Sequence, residues 1–167
     1  MEKAYVVGVD IGGQTTKIGI VDRRGTIVTQ TVIGSKYKAG EAGIFIQAVC
    51  DTIRELAKEV GFDQIQGIGI GAPNGNYYKG TIEDAANLEW AKGIVVELAK
   101  EVSLALDNLP VTVTNDANAA AVGEMTYGAA RGMKNFIMIT LGTGVGSGII
   151  INGELVYGHD GFAGELG

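Results

Sequence analysis

The sequence predicts an α/β protein: a mixed sheet with helices on both faces over residues 1–130, followed over 131–167 by the first strands of a second, similar domain. Three observations lead there. The first third of the chain alternates apolar and other residues with the period of strands. The middle alternates short strand-like runs with the three-to-four spacing of amphipathic helices, the order that builds parallel strands and their crossover helices. After Ala130 a strand, a glycine-rich turn and a strand repeat the pattern of the opening, as an internal duplication would.

The elements follow in order. Tyr5 to Asp10 is a β-branched run closed by the turn Ile11-Gly12-Gly13-Gln14, Thr15 to Val21 alternates, and Asp22 to Gly25 turns the chain into Thr26 to Ile33. Three strands on two tight connections make an antiparallel meander. Phe45, Val49, Ile53, Leu56 and Val60 mark a helix from Glu41 to Val60, with Gly61 placed to end it. Ile65 to Gly71 is a strand, followed by a loop over 72–76 and a short extended stretch from Tyr77 to Ile82. Ile94, Leu98, Val102 and Leu106 mark a second helix, stopped by Asp107-Asn108 and Pro110. Val111 to Thr114 is a strand, and Asn115-Asp116 opens an alanine-rich helix reaching about Ala130. Phe136 to Leu141 is a strand, Gly142 to Gly148 a glycine-rich turn, Ile149 to Ile151 a strand, and Asn152-Gly153 a hairpin signal.

Composition narrows the function. Hydrophobic residues make up 46% and charged residues 19%, which suits a packed core. Glycine is over-represented at 27 of 167 residues, in clusters that signal tight turns and close backbone approach. The net charge of −6, without a Lys/Arg cluster, argues against general nucleic-acid or anionic-membrane binding. It leaves local anion binding open, since backbone N–H groups do that without net charge. A single cysteine, Cys50, forms no internal disulfide and reads as a buried hydrophobe. Neither a signal peptide nor a transmembrane run is legible, so a cytoplasmic setting is expected.

Four segments carry candidate chemistry. In Asp10 to Lys17 (DIGGQTTK), two glycines let backbone N–H groups approach an anion, Thr15 and Thr16 offer hydroxyls, and Asp10 is placed to hold Mg²⁺ through water. An ordinary glycine turn would look the same. Leu141 to Gly148 (LGTGVGSG) is a second strand–glycine–strand unit. It lacks the Lys-Ser/Thr ending of a Walker loop and precedes a strand, so a P-loop and a dinucleotide fingerprint are disfavoured. Two hairpin phosphate loops facing one cleft fit better. Thr114-Asn115-Asp116 puts a carboxylate at a strand–helix junction, where it serves either as an N-cap or as the group that orients a hydroxyl and accepts its proton. Finally Gly75-Asn76, Asn87 and Glu165 offer groups suited to the hydroxyls of a sugar. Trp90 reads as core, and His159, the only histidine, as a surface group.

Together these segments resemble the ROK family of bacterial sugar kinases and sugar-responsive repressors, along the whole chain. DIGGQTTK is similar to the family's first phosphate loop and LGTGVGSGI to its second. GAPNG and NLEW match regions that shape the sugar site, TNDANAAAVGE matches the most specific stretch, and GHDGFAGELG matches the segment whose glutamate contacts the sugar. The resemblance implies the actin-like ATPase (ribonuclease H-like) fold, with two similar domains clasping ATP and sugar. It implies phosphorylation of a hexose at its 6-hydroxyl, glucose first, with N-acetylglucosamine, N-acetylmannosamine, mannose and fructose as alternatives.

In that reading Asp116 is the catalytic base, and Gly75, Asn76, Asn87, Asn115, Asp116 and Glu165 form the sugar site. Asp10, Gly12, Gly13, Gln14, Thr15, Thr16, Lys17, Gly142, Thr143 and Gly144 hold ATP and its Mg²⁺. Gln14 departs from the family's usual threonine. The resemblance further implies that these residues are roughly half of a full kinase, with a structural zinc site in the part beyond them, and that the full-length protein is a homo-oligomer in which no nucleic acid takes part. The 167-residue chain alone is expected to lack kinase activity. A sugar-responsive repressor and a different actin-fold ATPase are the rival readings.

Overall fold

Alternating valine and isoleucine build the first strands. β1 (Tyr5–Ile11), β2 (Thr15–Asp22) and β3 (Ile27–Gly34) form the expected antiparallel meander. Val7, Val9 and Ile11 on β1, with Thr16, Ile18 and Ile20 on β2, are buried to 3% exposure or less on one face. Gly8, Asp10, Lys17 and Gly19 alternate onto the other face. The computed structural model describes residues 4–142 and 144–166.

Helix α1 (Ala42–Ala57) lays Phe45, Val49, Cys50 and Ile53 into the core and ends before Gly61, whose φ of 87° suits glycine. Burial pushes the Cys50 thiol up to about 11, which leaves it protonated and unreactive. β4 (Ile65–Ala72) then pairs parallel with β1.

The next stretch differs from expectation. β5 (Gly75–Asn76), β6 (Thr81–Glu83) and β7 (Val95–Val96) form a small antiparallel sheet. Helix α2 (Leu98–Ala105) therefore begins after Ile94. Gly93, at φ 72°, turns the chain, and the β-branched pair Val95–Val96 joins β6 before the helix can start. Between them Trp90, 1% exposed, stacks on Phe45 at 4.3 Å between ring centroids and belongs to the core.

β8 (Val111–Asn115) pairs parallel with β4, completing a five-stranded mixed sheet in the order β3-β2-β1-β4-β8. α1 and α2 cover one face, and α3 (Asp116–Tyr127) lies on the other. α3 stops short of Ala130 at Gly128. β9 (Phe136–Leu141), β10 (Val145–Ile151) and β11 (Glu154–Leu155) form a separate three-stranded sheet. β10 starts at Val145, so the glycine turn is shorter than the 142–148 read from sequence. Asn152 and Gly153, with φ of 55° and 82°, make the expected hairpin.

The alanines of α3 explain how the two sheets meet. A Cβ on Gly71 of β4 would lie 3.2 Å from the Cβ of Ala119, and Cβ atoms on Gly146 and Gly148 of β10 would lie 3.1 Å and 2.5 Å from those of Ala117 and Ala121. Small residues on opposite sides of one helix thus face glycines on two sheets, and α3 is held close to both. Among the described residues no helix is long and apolar enough to cross a membrane.

Candidate active site

Asp116 opens α3, so the approach of Gly71 to that helix also fixes where the carboxylate stands. The capping task falls to its neighbour. The Asn115 side-chain oxygen accepts hydrogen bonds from the N–H groups of Ala117 at 2.8 Å and Asn118 at 3.4 Å. The Ala117 N–H also reaches Asp116 Oδ1 at 2.8 Å. Asp116 is exposed and borders the open space between the two sheets.

That space is a polar cavity of about 340 Å³. Gly12 and Gly13 from the first hairpin and Gly142 and Gly144 from the second line it, together with Asn74, Asn87, Asn115, Asp116 and Glu165. The first hairpin is drawn onto the Asn87 loop by close packing, since a Cβ on Gly13 would lie 3.1 Å from the Asn87 carbonyl oxygen. Opposite, Asn115 Nδ2 donates to Glu165 Oε1 at 2.7 Å. Partial burial, and then the negative charge of Asp116, push the Glu165 carboxyl above the usual glutamate range. The site therefore sets two carboxylates near each other.

Several expected contacts are not made. Thr16 is wholly buried and its hydroxyl pairs with that of Ser35 at 2.7 Å, so it cannot meet a phosphate in the cleft. Gln14 and Thr15 are exposed on the hairpin outside the cavity lining. Asp10 and Lys17 stand 3.9 Å apart and line a larger cavity of about 640 Å³ on the open face of the sheet, which Asp116 also borders. Gly75 and Asn76 are buried away from the polar cavity. Gly75 lets the chain cross the end of β8, where a Cβ would come within 2.3 Å of the Thr114 carbonyl oxygen. Asn76 Nδ2 donates to the Asp160 carbonyl at 3.0 Å, and its Oδ1 accepts from the Tyr78 N–H at 3.0 Å. Thr143 lies outside the described residues.

The sequence reading passed over Asn74 and Ser147. Asn74 lines the cavity next to Pro73, and its side-chain amide donates to the carbonyls of Glu83 and Asp84. Ser147 is buried and its hydroxyl donates to the Gly164 carbonyl at 2.6 Å, which holds the Glu165 turn against β10. An Asn-Gly step marked the first as a turn residue. Nothing local marks the second.

No group of three or more His, Cys, Asp and Glu residues among the described residues could enclose a metal ion. His159 is exposed. Mg²⁺ needs no such cage, because it keeps water ligands and is held by one or two carboxylates plus phosphate oxygens. Asp10, the residue expected to hold it, and Asp116 both border the larger cavity, and of the two Asp116 also lines the polar one.

The model of the ROK family matches residues 6–167. A glucokinase of Halalkalibacterium halodurans is 38% identical over 170 aligned residues, covering 100% of this chain and 50% of the relative. A xylose repressor of Bacillus subtilis is 32% identical, covering 98% of this chain and 41% of the repressor. A ROK glucokinase from Streptomyces griseus, solved in complex with glucose and AMPPNP, superposes with a TM-score of 0.83 at 36% identity, covering 98% of this chain and 49% of that structure. The chain thus spans about half the length of the relatives it matches. Its mixed sheet, flanked by helices, is the actin-like ATPase fold of those neighbours.

Proposed function

Because the chain belongs to the ROK family, we propose that the protein carrying it transfers the γ-phosphoryl group of ATP to the 6-hydroxyl of a hexose, glucose first. The observation that carries this is one cavity lined by two glycine hairpins, two carboxylates and three asparagines. Relatives named glucokinase, and a structural neighbour holding glucose and an ATP analogue, support the same reading.

The chemistry asks little of the protein beyond placement and charge. Asp116 accepts the proton of the sugar hydroxyl as its oxygen bonds to the γ-phosphorus. The bond from that phosphorus to the β–γ bridging oxygen breaks, and ADP leaves. Asn115 and Glu165, tied to each other, hold sugar hydroxyls on one wall, with Asn87 on another. Backbone N–H groups of the hairpins at Gly12–Gly13 and Gly142–Gly144 hold phosphate oxygens. Asp10 and Asp116 would hold Mg²⁺ through water, and the ion would neutralise phosphate charge. Closure of the cleft would exclude water as a competing acceptor.

A hexose panel on the full-length protein, read by ADP formation, tests this reading. Sugar-dependent ADP formation, highest with glucose, is expected. The match to a xylose repressor supports a second reading, sugar sensing without phosphoryl transfer. Saturable sugar binding with no sugar-dependent ADP formation would favour it and defeat the kinase.

A further inference from the structure

Glu165 is held where its charge is disfavoured. Its ionised form is opposed by partial burial and by Asp116, and among the described residues one side-chain hydrogen bond, from Asn115, faces it. The carboxylate is still largely open to solvent, so the turn that carries it decides where it stands. The turn is not free. The Asn76 amide, wholly buried, donates to the Asp160 carbonyl across a sequence separation of 84 residues. Gly161, at φ 97°, sits so tightly on that amide that a Cβ there would lie 3.0 Å from Asn76 Oδ1. The Tyr78 hydroxyl donates to the Gly158 carbonyl at 2.9 Å, and the Tyr77 ring stacks on that of Tyr157 at 4.1 Å. At the other end Ser147 takes the Gly164 carbonyl. Between these ties the N–H groups of Ala163 and Glu165 bond back to the carbonyls of Tyr157 and Phe162.

We propose that Asn76 is a positioning residue: its buried carboxamide, helped by the Tyr78 hydroxyl, fixes the turn over 157–161 and so holds the Glu165 carboxylate against Asn115 on the sugar side of the cleft. β5 thereby sets one wall of the site from outside the lining of the polar cavity. The link to sugar rests on the kinase reading. The link to the Glu165 turn does not.

Asn76→Asp is the direct test in the full-length protein. It keeps the acceptor that serves the Tyr78 N–H and replaces the donor facing the Asp160 carbonyl with an acceptor. The KM for sugar should rise about tenfold while the KM for ATP stays within about twofold, the scale of one lost buried hydrogen bond. Tyr78→Phe, a mild change at an exposed ring, should raise the sugar KM about threefold and serves if Asn76→Asp does not fold. Hydrogen exchange at the Ala163 and Glu165 amides should quicken in both variants. An unchanged sugar KM in a folded variant, or sugar and ATP constants rising together, would overturn the assignment. If the wild-type protein forms no ADP with any hexose, the kinase reading fails by itself. The exchange rates then decide the clamp, and unchanged rates would defeat it.

Discussion

The two glycine hairpins border the same cavity, but their glycines answer different needs. In the β1–β2 hairpin the chain's own packing demands them. The Gly12 N–H bonds to the Thr15 carbonyl at 3.0 Å, and a Cβ on Gly12 would lie 3.0 Å from that oxygen. A Cβ on Gly13 would press on the Asn87 carbonyl. In the β9–β10 hairpin a Cβ on Gly142 or Gly144 would meet no described atom within 4 Å. Fold packing accounts for the first pair of glycines and leaves the second unexplained. The second pair leaves space at the cavity wall, which suits the phosphate contact proposed for it. Among the described residues of this chain, packing requires the first pair of glycines and does not require the second.

The comparison has functional content only if both hairpins serve the carboxylate between them. Replacing Asp116 by asparagine in the full-length protein is therefore expected to have the largest effect. It should lower kcat on the order of a thousandfold, within the usual contribution of a positioned general base, while sugar binding stays within a few-fold. Near-normal kcat would separate the hairpins from any phosphoryl chemistry.

The next two variants set the hairpins against each other. Gly13→Ala should destabilise the protein by about 1–3 kcal/mol, because the added methyl must displace backbone at Asn87. The fall in Tm should come with a raised sugar KM, since Asn87 borders the cavity. Gly144→Ala should change stability by less than about 1 kcal/mol yet raise the KM for ATP about tenfold. Thermal melts and steady-state kinetics on the pair decide it. Equal loss of stability at both positions would show that the second hairpin's glycines serve folding after all.

Where the sequence could be read, a period or a turn signal stood behind each reading. The β1–β3 meander and α1 repeat one spacing over many residues, and the Asn-Asp junction before α3 carries its own capping chemistry. The same alternation that identified β2 also puts Thr16 with Ile18 and Ile20 on the buried face, which rules its hydroxyl out of the cleft. The sheet of β5, β6 and β7 was not legible, because strands of two or three residues are too short to show a period. The role of Asn76 was not legible either. An asparagine in a turn suits a sugar hydroxyl and a carbonyl equally well, and here the partner is Asp160, far along the chain. Ser147 and Gly164 are likewise paired only by the fold. In each case the deciding contact joins elements that no local pattern links.

The smallest expected effect concerns charge on the wall opposite the first hairpin. The Glu165 carboxyl is raised in the folded protein by partial burial and then by Asp116, so folding favours its protonated form. Relative to an unperturbed glutamate, the stability it contributes is present below the ordinary glutamate range and is lost as pH rises through the raised native value. Glu165→Gln removes that dependence and keeps an oxygen to accept from Asn115 Nδ2. The variant should therefore melt at a higher temperature than wild type near neutral pH, with the gap closing as the solution is made acid. Asp116→Asn should act in the same direction more weakly, because it removes only the second cause of the shift. The shift in melting temperature should be smaller than that of Gly13→Ala, since Glu165 remains largely open to solvent. A gap between Glu165→Gln and wild type that does not change with pH would mean that Asp116 and Glu165 do not share the cavity as charged neighbours. The second hairpin would then face a wall with no electrostatic tie to the carboxylate that both hairpins are proposed to serve.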